Sequence, residues 1–284
     1  MTQKKILILG AYGFIGMHLQ KALKKRYNIY VPTKKKLNLN NKIKLYDYIK
    51  NLNPHYIIHL ASRTVSNNNH KKEKYFQKKY TFLTIKNVID SINKDCKLII
   101  FFGSIAEYGS CHLPFKESSI PQPLTYYGYY KYQAYKYLLK IHKIRKFNYL
   151  WLRPSLVYGA GNSKKRFLGY LVDKIKKNRP IIMSGGSQTR DYLYIYDLIK
   201  IILLILKKKK QWNCILNLSS NNRFRLNSVI FKVEKILKKK IAVIIKKNKK
   251  NFDLYNSNNK LLNIFPGIQF TQFDNGLKKI FKNI

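Results

Sequence analysis

The chain has 284 residues, 45% of them apolar and three of them cysteine, enough to bury an α/β core and a smaller lobe with no disulfide framework. Lysine and arginine number 57 against 12 acidic residues, a formal net charge of +45. They are spread over the whole length among abundant Asn, Ile, Tyr and Phe, so the excess reads as compositional bias and not as a nucleic-acid stripe. Cys96, Cys111 and Cys214 lack metal spacing, no signal peptide is visible, and the apolar run 201–206 falls short of the roughly 20 residues that a membrane span needs. The sequence therefore predicts a cytoplasmic protein with no metal, no membrane and no specific nucleic-acid partner.

Residues 4–9 form a short apolar run that reads as a buried strand. It opens into Gly10-Ala11-Tyr12-Gly13-Phe14-Ile15-Gly16 and then into helical spacing from Met17. Strand, glycine turn and helix are the setting that a dinucleotide fingerprint needs, here spaced G-x-x-G-x-x-G. Gly10 permits the tight turn, Gly13 lets the backbone approach a pyrophosphate, and Gly16 lets the helix pack closely on its strand. The free N–H groups of the helix start, at Phe14 and Ile15, then face the phosphates. A second strand is predicted over 27–32. At its end Thr33-Lys34-Lys35-Lys36 offers no acid for the ribose hydroxyls, so Lys34 and Lys35 suit a 2′-phosphate and lean the cofactor from NAD toward NADP.

A helix follows over 43–52, then a buried strand over 54–62 with Ala61 and Ser62 at its tip, a helical region from about 71 to 93, and a strand over 97–102 running into Gly103-Ser104-Ile105-Ala106-Glu107-Tyr108-Gly109. Alternating helices and continuously apolar strands predict a Rossmann-type, doubly wound parallel α/β sheet, which takes ligands at the carboxyl ends of its strands. Gly10–Gly16, Ala61 and Ser104 all fall there. Residues 110–124 read as a loop, 126–146 as a tyrosine-rich helix and 147–153 as a strand. Beyond Pro154 the elements shorten, with a helix after 198, a strand over 214–218, a further amphipathic helix and a weakly patterned tail. The boundaries that result are a nucleotide-binding domain over 1–155 and a smaller α/β substrate lobe over 156–284, partly interleaved with the first.

Tyr127 and Lys131 stand four apart and so share one helical face. A free tyrosine titrates near pH 10, so proton transfer at neutral pH needs its phenolate stabilised by roughly 4 kcal/mol. A neighbouring ammonium and the nicotinamide's positive charge supply this. Ser104 is the expected hydrogen-bond donor to the substrate oxygen, Tyr127 the acid/base, and Lys131 the residue that tunes it and binds the nicotinamide ribose. His59 lies inside a strand and reads as structural.

With GAYGFIG, HLAS, FGSIAEYG, YGYYK, RPSLVYG and SGGSQTRDYLYIYD in this order, the chain resembles the extended short-chain dehydrogenase/reductase family of nucleotide-sugar epimerases, dehydratases and 4-keto reductases. The resemblance implies an NAD(P)-dependent oxidoreductase acting at C4 of a nucleotide-activated sugar, as an epimerase or as a 4-keto-6-deoxysugar reductase. It adds cofactor contacts at Asn38, Leu39, Leu60 and Pro154, assigns Arg190 to the substrate's diphosphate, and implies a homodimer. The segment from Leu37 to Ser62 looks most like the NADP-dependent keto-sugar reductases.

The departures narrow this reading. Dehydratases carry an acidic pair where Ile105 and Ala106 stand, and Glu107 lies one place too far along to substitute. GDP-fucose synthase has a reactive cysteine at the position of Ala106. Leu156 and Thr81 replace asparagines usual in the family, which keeps open a catalytically degenerate member that serves as an NAD(P)-binding scaffold.

Overall fold

The computed structural model describes residues 3–62, 69–208, 211–246 and 252–282. In chain order these form β1 (Lys5–Leu9), α1 (Phe14–Leu23), β2 (Asn28–Tyr30), α2 (Lys42–Leu52), β3 (Tyr56–His59), α3 (His70–Gln77), α4 (Leu83–Asp90), β4 (Leu98–Phe102), α5 (Tyr126–Arg145) and β5 (Tyr149–Pro154). There follow β6 (Leu156–Tyr158), α6 (Phe167–Lys176), β7 (Ile181–Met183), β8 (Thr189–Tyr194), α7 (Ile195–Lys207), β9 (Cys214–Leu218), β10 (Arg223–Arg225), α8 (Leu226–Leu237), β11 (Val243–Ile245), α9 (Asn259–Ile264) and α10 (Phe273–Phe281). Among the described residues no helix is long and apolar enough to cross a membrane.

The six-stranded sheet has the order β2-β1-β3-β4-β5-β9, and β1 pairs in parallel with β2 and β3, as β4 does with β3 and β5. Its central strands are apolar on both faces: Ile6–Ile8, Ile57, Ile58 and Leu98–Phe101 are all fully buried. That is the burial a parallel sheet covered by helices imposes. The chain divides into two compact units, the first comprising Met1–His112, Glu117–Arg153 and Leu203–Leu216, the second Leu113–Lys116, Pro154–Ile202 and Asn217–Ile284.

Local chemistry sets the element ends. Asn41 caps α2 by accepting from the Lys44 N–H at 3.0 Å, and Thr125 caps α5 by accepting from the Gly128 N–H at 3.1 Å. Basic His142, Lys143 and Arg145 occupy the last turn of α5, favourable against the helix dipole, and the chain leaves through Lys146 in the left-handed region at φ 52°.

Two regions depart from expectation. The helical stretch expected from 71 to 93 is broken into α3 and α4 by a π-helical turn over Lys78–Phe82. There the Thr81 hydroxyl donates to Gln77 Oε1 at 2.7 Å and Gln77 Nε2 donates to Glu73 Oε1 at 2.9 Å. The weakly patterned tail contains α9 and α10. In α10 the buried Phe273, Leu277 and Phe281 recur every fourth residue, a short stripe interrupted by Gly276. The glycine is needed, because a Cβ there would lie 2.1 Å from the Tyr158 hydroxyl.

Candidate active site

The glycine loop joins β1 to α1. Gly10 has φ +87°, and a Cβ on it would lie 2.6 Å from the Ala61 backbone nitrogen, so only glycine lets the loop pass the tip of β3. A Cβ on Gly16 would lie 2.4 Å from the Ala11 carbonyl oxygen, which is the close helix–strand approach expected of the third glycine. Gly13 precedes α1 with no side-chain cap hydrogen bond, leaving the N–H groups of Phe14, Ile15 and Gly16 uncapped by any side chain. A helix start of this kind binds anions.

Beside the loop lies a cavity of about 310 Å³ whose lining includes Gly10, Gly13, Lys34, Asn38, Leu39, Ala61 and Ser62. Of the residues expected to hold a cofactor, these seven converge on it. Lys35 is exposed and does not line it, nor does Leu60, whose N–H donates to the Leu9 carbonyl at 2.8 Å. The wall also contains Tyr12, Pro32, Leu37, Asn40, Tyr80 and Thr84, which the sequence reading did not single out. Tyr80 lies within the π-helical turn and Thr84 four residues on in α4, and no spacing rule marks that turn in advance. Lys34 Nζ stands 5.4 Å from the Tyr80 ring centroid. Among the described residues no acidic side chain is on this wall. A glycine cradle, an uncapped helix start and, among the described residues, Lys34 on the wall fit a dinucleotide.

Ser104, Tyr127 and Lys131 come from β4's end and from α5. Gly128 makes this possible, since a Cβ on it would lie 2.1 Å from the Ala106 carbonyl oxygen, so α5 presses its first turn onto the short 3-10 turn Ile105–Glu107. Ser104 Oγ accepts from the Ala106 N–H at 3.1 Å, which leaves its O–H to donate. Lys131 is buried, with Nζ donating to the Phe102 carbonyl at 2.5 Å and standing 5.8 Å from the Tyr127 ring centroid. Tyr127 itself is half-buried. Burial pulls the Lys131 ammonium down to about 8, and the Glu107 carboxylate acts against that fall.

His59, behind it on β3, is fully buried and pulled down to about 3 by burial and by the Lys131 charge. It is therefore neutral and leaves Lys131 as the local cation. Glu107 is also fully buried, and its carboxylate accepts from the Ser104 N–H, Trp151 Nε1 and Arg153 Nε. Thr81 spends its hydroxyl on Gln77 within its own helix.

The remaining site residues are in or at the edge of the second unit. Pro154 closes β5 and Leu156 opens β6. Arg190 lies on β8, half-buried, with Nη1 donating to the Thr189 and Phe252 carbonyls at 2.8 and 2.6 Å. Burial moves its guanidinium below the ordinary value.

Residues 6–218 match the NAD dependent epimerase/dehydratase family, which is three quarters of the chain and includes the glycine loop, Ser104, Tyr127, Lys131 and Arg190. The chain belongs to this family. Relatives of the epimerase/dehydratase family include a putative UDP-glucose 4-epimerase of Methanocaldococcus jannaschii, 29% identical over 246 residues and covering 79% of each chain. Among solved structures, the UDP-glucuronic acid 4-epimerase of Bacillus cereus, in complex with UDP-glucuronic acid and NAD, superposes with a TM-score of 0.87 at 21% identity over 98% of both chains. The GDP-mannoheptose C4 reductase of Campylobacter jejuni, with NADP bound, gives 0.85 at 18% identity over 99% of this chain and 98% of that one. The fold neighbours thus hold either NAD or NADP.

Proposed function

We propose that this family member is an oxidoreductase that works at C4 of a nucleotide-activated sugar and uses NADP in preference to NAD. The observation that carries the reading is the buried ammonium of Lys131, anchored on Phe102 and facing the Tyr127 ring, at the strand end where Ser104 stands. When bound, the nicotinamide accepts or returns the hydride at the sugar carbon. The chain's own residues do the rest. Ser104 donates its O–H to the sugar oxygen and orients it. Tyr127 takes or gives the proton on that oxygen, and Lys131 lowers the free energy of the phenolate that results. Gly10, Gly13 and the start of α1 hold the pyrophosphate, Lys34 faces a ribose phosphate, and Arg190 grips the diphosphate of the sugar nucleotide.

Dehydration does not fit, because Ile105 and Ala106 are apolar and Glu107 is committed to Arg153 and Trp151. What stays is the choice between net reduction of a 4-keto sugar and epimerisation. A cofactor-fluorescence and turnover screen across UDP-, GDP- and dTDP-sugars separates them. Consumption of free NADPH with a 4-keto-6-deoxy sugar nucleotide marks the reductase, and interconversion of 4-epimers by protein carrying tightly held NAD marks the epimerase. The second reading, a cofactor-holding scaffold, is favoured by Thr81, whose hydroxyl is already bonded to Gln77. It requires NAD(P) binding with no turnover of any sugar nucleotide.

A further inference from the structure

Among the described acidic residues of the first unit, Glu107 alone is fully buried. Its Oε1 accepts from the Ser104 N–H at 2.7 Å, and both oxygens accept from Trp151 Nε1 at 3.1 Å. Arg153 reaches Oε2 with Nε at 2.9 Å and Nη2 at 2.8 Å. The guanidinium lies 4.5 Å from the Tyr108 ring centroid and 5.7 Å from that of Tyr135. Burial works against its charge, and Glu107 and Tyr108 overcome that, leaving Arg153 above its ordinary value. The backbone is cut to fit this arrangement. A Cβ on Gly103 would lie 2.3 Å from Trp151 Nε1 and 2.4 Å from Glu107 Oε1, so the residue before the serine has to be glycine while the carboxylate and indole stand there.

A buried ion pair adds little net stability, because desolvation offsets the attraction. This one touches the reaction site at two points. It fixes the backbone of Ser104, and it is the charge that raises the proton affinity of Lys131 against burial. The other groups acting on Lys131 are His59 from β3, held neutral, and Tyr127 one turn back on α5. On the outer flank of α5 the titratable groups meet other residues, His70 of α3 with Tyr126 and Asp90 of α4 with Tyr137.

We propose that Glu107 is a positioning residue for the reaction, holding the Ser104 donor in place at the end of β4, with Gly103, Trp151 and Arg153 as its frame. The proposal rests on the roles given above to Ser104, Tyr127 and Lys131. The variant that tests it is Glu107→Gln, which keeps the size and an acceptor and removes the charge. With lysine labelled at 13Cε, the Lys131 resonance, assigned by its loss in Lys131→Met, is expected to titrate near pH 8 in the unaltered chain and at lower pH in Glu107→Gln. The alkaline limb of the kcat/KM profile is expected to move the same way. At neutral pH kcat should fall about tenfold with KM little changed, and Glu107→Asp should recover part of it.

A Glu107→Gln protein that keeps the kcat and the pH profile of the unaltered chain overturns the proposal. If no sugar nucleotide is turned over by the unaltered chain, the functional reading fails while exchange of the Ser104 amide still judges Glu107. Should Glu107→Gln not fold, hydrogen exchange in the unaltered chain decides. The Ser104 amide is expected to exchange as slowly as those of Ile100 and Phe101, and exchange as fast as an exposed loop amide overturns the proposal.

Discussion

Replacing Lys131 by Met is expected to make the chain more stable and less active at once. The fall of this group from 10.5 to about 8 costs the folded state about 3 kcal/mol at pH 7. Met removes that cost and forfeits the hydrogen bond to the Phe102 carbonyl, worth about 1 kcal/mol. The net gain is about 2 kcal/mol, or roughly 4–8 °C in melting temperature for a chain of this size. The folded chain binds this proton less tightly than the unfolded chain does. The cost is therefore complete below about pH 8 and fades as pH rises toward 10.5. Urea titrations of both proteins from pH 7 to 10.5 should show the gap in favour of Met closing across that interval. Activity should move the other way. A unit charge at 5.8 Å is worth about 3 kcal/mol to a phenolate at an effective dielectric near 20, so initial rates of NADPH oxidation should fall about a hundredfold. A Lys131→Met protein that is less stable at pH 7, or that keeps a third of the wild-type rate, refutes the assignment.

Tyr127→Phe should lower kcat by 10²–10⁴-fold or about that range, while cofactor affinity, read by NADPH fluorescence titration, stays within a factor of about three. Lys34→Glu should weaken NADPH binding roughly tenfold and leave NADH binding nearly unchanged, since only the 2′-phosphate meets the altered charge. An equal loss for both cofactors would remove Lys34 from the phosphate site. Gly16→Ala places a methyl 2.4 Å from the Ala11 carbonyl oxygen. It should cost about 1–3 kcal/mol by thermal melting and abolish NADPH binding, because α1 must move off β1.

The architecture was legible wherever burial and period agreed. Residues 6–9 and 98–102 are continuous apolar runs, 214–218 is broken only by Asn217, and the strands stand there almost residue for residue. The tyrosine-rich helix expected over 126–146 is α5, and the four-residue spacing of Tyr127 and Lys131 does put ring and ammonium together. Three things were hidden. The π-helical turn over Lys78–Phe82 inserts one residue into a helical period, and no residue type in KKYTF signals it. In α10 the stripe of Phe273, Leu277 and Phe281 is short and crossed by a glycine whose purpose is set by Tyr158, more than a hundred positions away. Glu107 was weighed only against the dehydratase pattern. Its partners Trp151 and Arg153 are on β5, and pairing across a parallel sheet leaves no local trace in the sequence.

The return of Leu203–Leu216 to the first unit has a practical consequence for anyone wishing to study nucleotide binding in isolation. Cutting the gene after codon 155 would discard β9 and strip the hydrogen-bonding partner from one side of β5. Strand edges bared in this way seek other copies of themselves. A minimal nucleotide-binding piece of this protein would have to be stitched, with 203–218 grafted behind residue 153 through a short linker, before it could be handled without aggregating.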